Sequence, residues 1–456
     1  MHSDPRIRSR HDEQLLDHDD YRWLVSEAAA PWLALVAVDQ RPTLQIAAAL
    51  RKDLSPMRAH LILEQIDLRK RAKQKFPRGE HMFFTRKCLE QSTDYWLAHY
   101  KAARYTPSVR IVDLCCGIGG DAIALAERGP VLAVDSDLLV TILAEANAAA
   151  LGLAASLNVA TEDVTESKFA DSDLWHLDPD RRPGGQRVTR LDTSLPSRKW
   201  FDVFQQQHGN GALKLAPGDS FEARGEEPIE WEYISRDGEV RQQVVYFGSL
   251  AQTPFRCTCT SLSRDGQLLG QFHSAIPPRP AHFAKVIIDD EIPMAERIGA
   301  YLYEPEPTIL AAGLERPFAN QHGLSFTSPT RGYLTSDIRA HDPMLSTFRV
   351  LETLQFDRKR VAALLRDRQV GTVEVKTRDK ALDTNRLQRE FSTRGGENAT
   401  LILTRFQEKT WAVLCERILM PGYSLNLLSE SLCEWVSVRG ASRPPVAVWA
   451  IAGHVG

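Results

Sequence analysis

The stretch VRIVDLCCGIGGD, residues 109–121, reads as a β-branched strand that runs straight into a glycine-rich turn and then into a helix. Glycine is needed where φ turns positive or where a ligand must come close to the backbone. Working outward, DAIALAERG, VLAVD, LLVTILAEANAAALGL, LNVAT and LWHLD alternate helical and strand patterns. Strands separated by helices mean βαβ units, and so a parallel sheet with helices on both faces. ALKLAPG and QQVVYFGSL add further strands, the last ones antiparallel at an edge. The prediction is an α/β domain over 106–275, preceded by a helical region over 1–105 whose apolar residues recur at helical spacing from Tyr21 to Tyr105. A proline-rich, irregular stretch follows, with one strand expected at AKVIID. From Phe348 a helix (FDRKRVAALLRDRQ) and three strands (GTVEVKTR, ATLILTRF, TWAVLCER) predict a small α+β domain over 340–420, and the tail 421–456 carries no assignment.

The 456 residues suit two to four domains. An apolar share of 43% with 25% charged residues is that of a globular chain, which excludes collagen-like, disordered and membrane-spanning classes. Lys and Arg total 56 against 59 Asp and Glu, a formal charge of −3, so any nucleic-acid surface has to be local. The run from Leu68 to Arg78 gathers six basic side chains, Lys75 among them, and reads either as a phosphate-binding face or as a solvated helix face. No apolar run approaches the roughly 20 residues that span a bilayer, and MHSDPRIRSRHDEQ lacks the apolar stretch of a secretory signal, so a cytoplasmic protein with no membrane partner is expected. Seven scattered cysteines form no regular framework, and Cys257 and Cys259 lack the partner pair of a zinc site. Reduced thiols and no metal are expected.

Gly117, Gly119 and Ala122 fit the loose dinucleotide pattern G-x-G-x-x-G/A, which keeps a dinucleotide-dependent oxidoreductase in view. Asp113, four residues before Gly117, argues against it, because a carboxylate there repels a pyrophosphate and suits a cationic amino-acid group. Asp135 ends the second strand, where it can accept both hydroxyl protons of a ribose, and Asp163 follows the third, near an adenine. Asp178-Pro179 ends the fourth, at the edge where doubly wound sheets place their chemistry. Each aspartate alone is equally a cap or turn residue; their placement at successive strand ends is what marks a site.

With these residues in place, the chain resembles class I S-adenosylmethionine-dependent methyltransferases, and more closely the bacterial ones that end in a THUMP-like domain. The supporting stretches are KFPRGEHMFFTRKCLEQST (75–93), DPDRRPGG (178–185), YLYEPEPTILAAGL (301–314) and RVLETLQFDRKRVAALLRDRQVGTVEVKTR (349–378). The resemblance implies a class I methyltransferase (Rossmann-like) sheet, with a small ferredoxin-like segment over 276–335 ahead of the THUMP-like domain. It also implies S-adenosyl-L-methionine as cofactor, held by Asp113, Cys115, Gly117, Gly119, Asp135 and Asp163, and an RNA partner, a tRNA or an rRNA. Asp178 and Pro179 match the first two positions of the turn that orients a target amine in nitrogen methyltransferases. Asp180 and Arg181 replace the third position and the stacking aromatic, so Trp175, Phe83 or Phe84 would have to stack instead, although Trp175 reads better as core. Arg181, Arg182, Lys214 and Lys75 are the candidates for substrate contacts. The leading expectation is a methyltransferase acting on an RNA base nitrogen. A uracil C5-type RNA methyltransferase, with Cys257 or Cys259 as its thiolate, and a non-catalytic RNA-binding protein with a degenerate methyltransferase domain are the alternatives.

Overall fold

A computed structural model describes residues 18–169, 174–180, 194–223, 227–275, 278, 293–329, 332–379 and 381–419. The strand expected at AKVIID, Arg181, Arg182 and the tail 421–456 lie outside the described residues. No helix among those described is long and apolar enough to cross a membrane.

Six helices open the described part of the chain: α1 (His18–Leu24), α2 (Ala30–Val38), α3 (Thr43–Leu50), α4 (Pro56–Ala72), α5 (Arg86–Gln91) and α6 (Tyr95–Ala102). Their starts are written in the sequence: Ser55 accepts from Arg58 N ahead of Pro56, Thr85 from Cys88 N and Asp94 from Leu97 N. Then come β1 (Ile111–Leu114), α7 (Gly120–Ala126), β2 (Val131–Asp135), α8 (Leu138–Ala150), β3 (Leu157–Thr161), β4 (Leu174–Leu177), α9 (Arg198–Gln207) and β5 (Gly211–Leu215). Four more strands follow, β6 (Glu230–Arg236), β7 (Glu239–Phe247), β8 (Cys257–Leu262) and β9 (Leu268–Ser274). All nine strands form one sheet in the order β3-β2-β1-β4-β5-β7-β6-β8-β9. β1 to β5 run parallel as the βαβ pattern predicts, and β7 is antiparallel to β5. The strand order reverses between β1 and β4, which opens a crevice at their carboxyl ends.

The helical region is no separate body. Its buried Leu33, Ile62, Leu97 and Ala102 share a core with Ile111, Ala122, Ile234 and Tyr246 of the sheet domain. Arg104, just past α6, locks the two together: its guanidinium lies 2.8 Å from Glu230 and 3.2 Å from Glu232, both buried on β6. The opposite face of the sheet buries Val112, Leu114, Trp175 and Leu177 against Phe201 and Phe204 of α9.

The last described part of the chain comprises β10 (Tyr301–Pro305), α10 (Pro307–Ala312), α11 (Glu315–His322), β11 (Ser325–Phe326), β12 (Leu334–Ser336), β13 (Leu345–Gln355), α12 (Arg358–Asp367), β14 (Val370–Thr377), α13 (Thr384–Phe391), β15 (Glu397–Phe406) and β16 (Lys409–Ile418). Its seven strands make a second sheet, β11-β12-β10-β13-β16-β15-β14. The stretch set apart as a ferredoxin-like segment thus shares a sheet with the THUMP-like stretch, because β10 pairs with β13 along Tyr301–Pro305. Val361, Leu365, Leu387 and Phe391 of α12 and α13 cover one face of it. Ile309 and Phe318 join the core of the first sheet beside Tyr233 and Phe272. At that junction Ser235 Oγ donates to Glu306 Oε1 at 2.5 Å.

Candidate cofactor and acceptor site

The turn after β1 uses its glycines as the sequence requires. Gly117 and Gly119 have φ of +57° and +87°, and Cys115 between strand and turn has +60°. A Cβ on Gly117 would meet nothing within 4 Å, so this backbone borders open space in the crevice. On Gly120 it would lie 3.0 Å from the Thr93 carbonyl oxygen, because the 92–94 segment of the helical region backs the turn. Asn147 of α8, fully buried, clamps the turn from its other side. Its amide donates to Ile118 O at 3.1 Å and to Phe83 O at 3.2 Å, while its Oδ1 accepts from Phe83 N at 2.6 Å.

Asp135 stands at the end of β2 with Oδ2 accepting from Gly117 N at 3.0 Å and Oδ1 from Asp137 N at 3.1 Å. Burial raises its carboxyl, and those two backbone N–H bonds oppose the rise. Asp163 is exposed and ends β3 with a turn in which Oδ1 accepts from Thr165 N and Oγ1; the hydroxyl bond is the larger cause of its lowered pKa. Burial pushes the Cys115 thiol well up, with Asp135, Asp178, Asp113 and Asp180 all adding to the rise. Cys115 therefore stays a thiol.

Asp178 follows β4 at the crevice and accepts from Lys214 of β5. Pro179 comes next, and Asp180 bridges to Leu195 through two backbone bonds. Asp113 lies deeper, on the third residue of β1, and is 1% exposed. Its Oδ1 is 2.7 Å from His176 Nδ1, since the parallel register sets Asp113 beside His176. Its Oδ2 has no hydrogen-bond partner among the described residues. Burial raises the Asp113 carboxyl against the pull of His176.

Lys75 sits elsewhere than on a phosphate-binding face. Its ammonium donates to the carbonyls of Leu89, Glu90 and Ser92 at 2.8, 2.9 and 3.1 Å and so closes the end of α5. Arg69, of the same basic run, stacks over the half-buried Phe83 and donates to Met82 O. Phe84 and Trp175 are core residues, 2% and 1% exposed, so neither is free to stack on a base. Cys257 and Cys259 are wholly buried on β8, with β5, β7 and β6 between them and β4, and burial raises the Cys257 thiol well up. Neither supplies the thiolate that a uracil C5 mechanism needs. Among the described residues, no group of three or more His, Cys, Asp and Glu is arranged to hold a metal ion.

The sequence reading passed over Asn147, Thr93, Lys101 and His176, all buried around the turn. A signal existed for His176 alone. It precedes the last residue of LWHL as Asp113 precedes the last of IVDL, and parallel pairing in that register sets the two side by side.

A bound S-adenosylmethionine supplies a sulfonium methyl, an adenosine and a cationic amino-acid end. The glycine turn without a Cβ at its open edge, Asp135 at the second strand end and the orphaned Asp113 Oδ2 suit those parts. Residues 345–417 match the THUMP domain-like family. The sequence is 31% identical over 361 residues to an uncharacterised S-adenosylmethionine-dependent methyltransferase of Mycobacterium tuberculosis, in strain H37Rv and in strain CDC 1551, covering 76% of this chain and 93% of that protein. The fold matches the crystal structure of a candidate methyltransferase from Porphyromonas gingivalis W83 with a TM-score of 0.68, at 20% identity, over 89% of this chain and 100% of that one. The chain therefore belongs to the S-adenosylmethionine-dependent methyltransferases, with a THUMP-like domain at residues 345–417 and S-adenosylmethionine as its methyl donor.

Proposed function

We propose that the protein methylates a base nitrogen of an RNA, a tRNA or an rRNA, at the crevice between β1 and β4. The observation that supports this most is Asp178, a partly exposed carboxylate at the carboxyl end of β4, steadied by Lys214 and set beside the glycine turn. In this reading Asp135 receives the ribose hydroxyls, Asp113 the ammonium of the amino-acid end, and Gly117, Gly119 and Cys115 give the backbone its close approach, with Asp163 near the adenine. Asp178 accepts a hydrogen bond from the acceptor nitrogen and holds its lone pair in line with the methyl, while Pro179 stiffens the turn. As the nitrogen–carbon bond forms, the carbon–sulfur bond breaks, its electron pair stays on sulfur, and the nitrogen gives up its proton to Asp178 or to water. The THUMP-like match supports RNA over a protein or a small molecule.

The test is transfer of a labelled methyl group to RNA prepared from cells that lack the protein, followed by digestion and mass spectrometry of the nucleosides. One methylated nucleoside, absent with Asp178→Ala, is expected. Label found only in protein or small molecules overturns the RNA reading, and methylation at a ring carbon or a ribose oxygen overturns the nitrogen.

A further inference from the structure

The glycine turn rests on a chain of buried polar groups that packing alone does not require. Thr93 Oγ1 donates to Asp121 Oδ2 at 2.6 Å, and Lys101 Nζ lies 2.7 Å from Asp121 Oδ1 and 3.4 Å from His176 Nε2. His176 Nδ1 is in turn 2.7 Å from Asp113 Oδ1. The five side chains come from the helical region, β1, the first turn of α7 and β4, and none is more than 7% exposed. A lysine ammonium only donates, so His176 Nε2 accepts and Nδ1–H donates to Asp113. The donor direction therefore runs from Lys101 through His176 to Asp113. It ends on a carboxylate with one oxygen bonded and the other, Oδ2, buried without a partner. Apolar residues of the same volume fill such a space at least as stably as buried charges do. A buried acceptor left over at the floor of the turn suits a cationic ligand group.

We propose that His176, backed by Lys101 and Asp121, is a positioning residue that aims Asp113 Oδ2 at the ammonium of the cofactor's amino-acid end. This rests on the assignment of Asp113 made above. His176 and Lys101 do not touch the donor; they act through Asp113, which makes the helical region a working part of the cofactor site.

The experiment compares two ligands on the full chain by calorimetry. S-adenosylhomocysteine carries the ammonium, whereas 5′-methylthioadenosine keeps the adenosine and the sulfur without the amino-acid end. In His176→Leu the preference for S-adenosylhomocysteine is expected to fall about tenfold, the scale of one charge-assisted hydrogen bond, with methylthioadenosine affinity within about twofold of the parent. His176→Asn, whose amide can still donate to Asp113, is expected to restore most of the preference. Should His176→Leu fail to fold, His176→Gln, which keeps the polar volume but moves the amide towards the Nε2 position, takes its place with the same expectation. Equal loss of both ligands, or an unchanged preference, overturns the positioning role. Asp113→Asn separates the levels. If it abolishes the preference while His176→Leu or His176→Gln leaves it intact, only the positioning chain is wrong. If the parent itself shows no preference, the assignment of Asp113 fails and the proposal falls with it.

Discussion

Lys214 Nζ lies 2.5 Å from Asp178 Oδ2, with Lys214 8% and Asp178 26% exposed. The pair follows from register: Leu177 pairs with Leu213, so one step further along both parallel strands brings Asp178 beside Lys214. The charge of Lys214 also reaches Asp121, helping Lys101 outweigh a burial that on its own pushes that carboxyl up. Lys214 is thus a second cation shared between the acceptor carboxylate and the floor of the glycine turn.

Replacing Lys214 with Met removes the partner that holds Asp178 in one rotamer. A drop of about tenfold to a hundredfold in kcat is expected, the range for a misplaced proton-accepting group, with S-adenosylhomocysteine affinity within about twofold. Single-turnover methyl transfer checks the first and calorimetry the second. A variant as fast as the parent removes Lys214 from the acceptor site.

The glycines of the turn separate binding from folding. Gly117→Ala places its Cβ in open space, so its folding cost is the left-handed backbone alone, about 1–2 kcal/mol. The new methyl group faces the crevice, and cofactor affinity is expected to fall by more than that strain accounts for. Gly120→Ala drives a Cβ to within 3.0 Å of Thr93 O, which is backbone and cannot turn aside. There the larger effect is expected on urea unfolding. The reverse ranking of the two variants contradicts the geometry.

Arg104 makes a stability prediction. Its guanidinium bonds both carboxylate oxygens of Glu230 and one of Glu232, residues that are 1% and 0% exposed, and stacks over Tyr246 at 4.0 Å. Burial lowers its pKa, but Tyr246, Glu230 and Glu232 together more than reverse this. Arg104→Met leaves two buried carboxylates uncompensated and is expected to cost about 3–5 kcal/mol in urea unfolding at pH 7. The triple variant with Glu230→Gln and Glu232→Gln recovers part of that loss if uncompensated charge is its cause.

How much of this was legible follows from which interactions are local. The glycine turn, the position of the aspartates at the strand ends and the parallel order come from periodicity and spacing within about 70 residues, and the fold has each of them in its expected place. Lys75 was legible only as a charge; that it closes α5 depends on a return of the chain 14 to 17 residues later. Lys101 sits in YWLAHYKA, a helix whose spacing gives no reason to expect a buried ammonium. Its partner Asp121 is 20 residues on and His176 is 75 on, and only the tertiary fold brings them together. The joining of β10 to β13 was hidden for the same reason: antiparallel pairing between Tyr301–Pro305 and Leu345–Arg349 leaves no mark on either strand's composition.

Lys75 yields a pH dependence with a definite sign. Burial lowers its ammonium to about 8 from 10.5, Lys214 and Arg241 adding to the fall while Asp94 and Glu90 resist it. Between those values the unfolded chain holds a proton that the folded one has released, so this group makes unfolding less favourable as pH rises from about 8 to 10.5. Below about 8 both states are protonated there and the contribution has no slope. Lys75→Met has no such group and leaves the carbonyls of Leu89, Glu90 and Ser92 without their donor. At pH 7 it is expected to be less stable by about 1–3 kcal/mol. Urea unfolding of both proteins at pH 7, 8, 9 and 10 cancels the titrations they share. The gap in favour of the parent is expected to stay level from pH 7 to 8 and to widen above it. A gap that narrows above pH 8 means that losing one of the ammonium's three hydrogen bonds outweighs the relief of burying a charge.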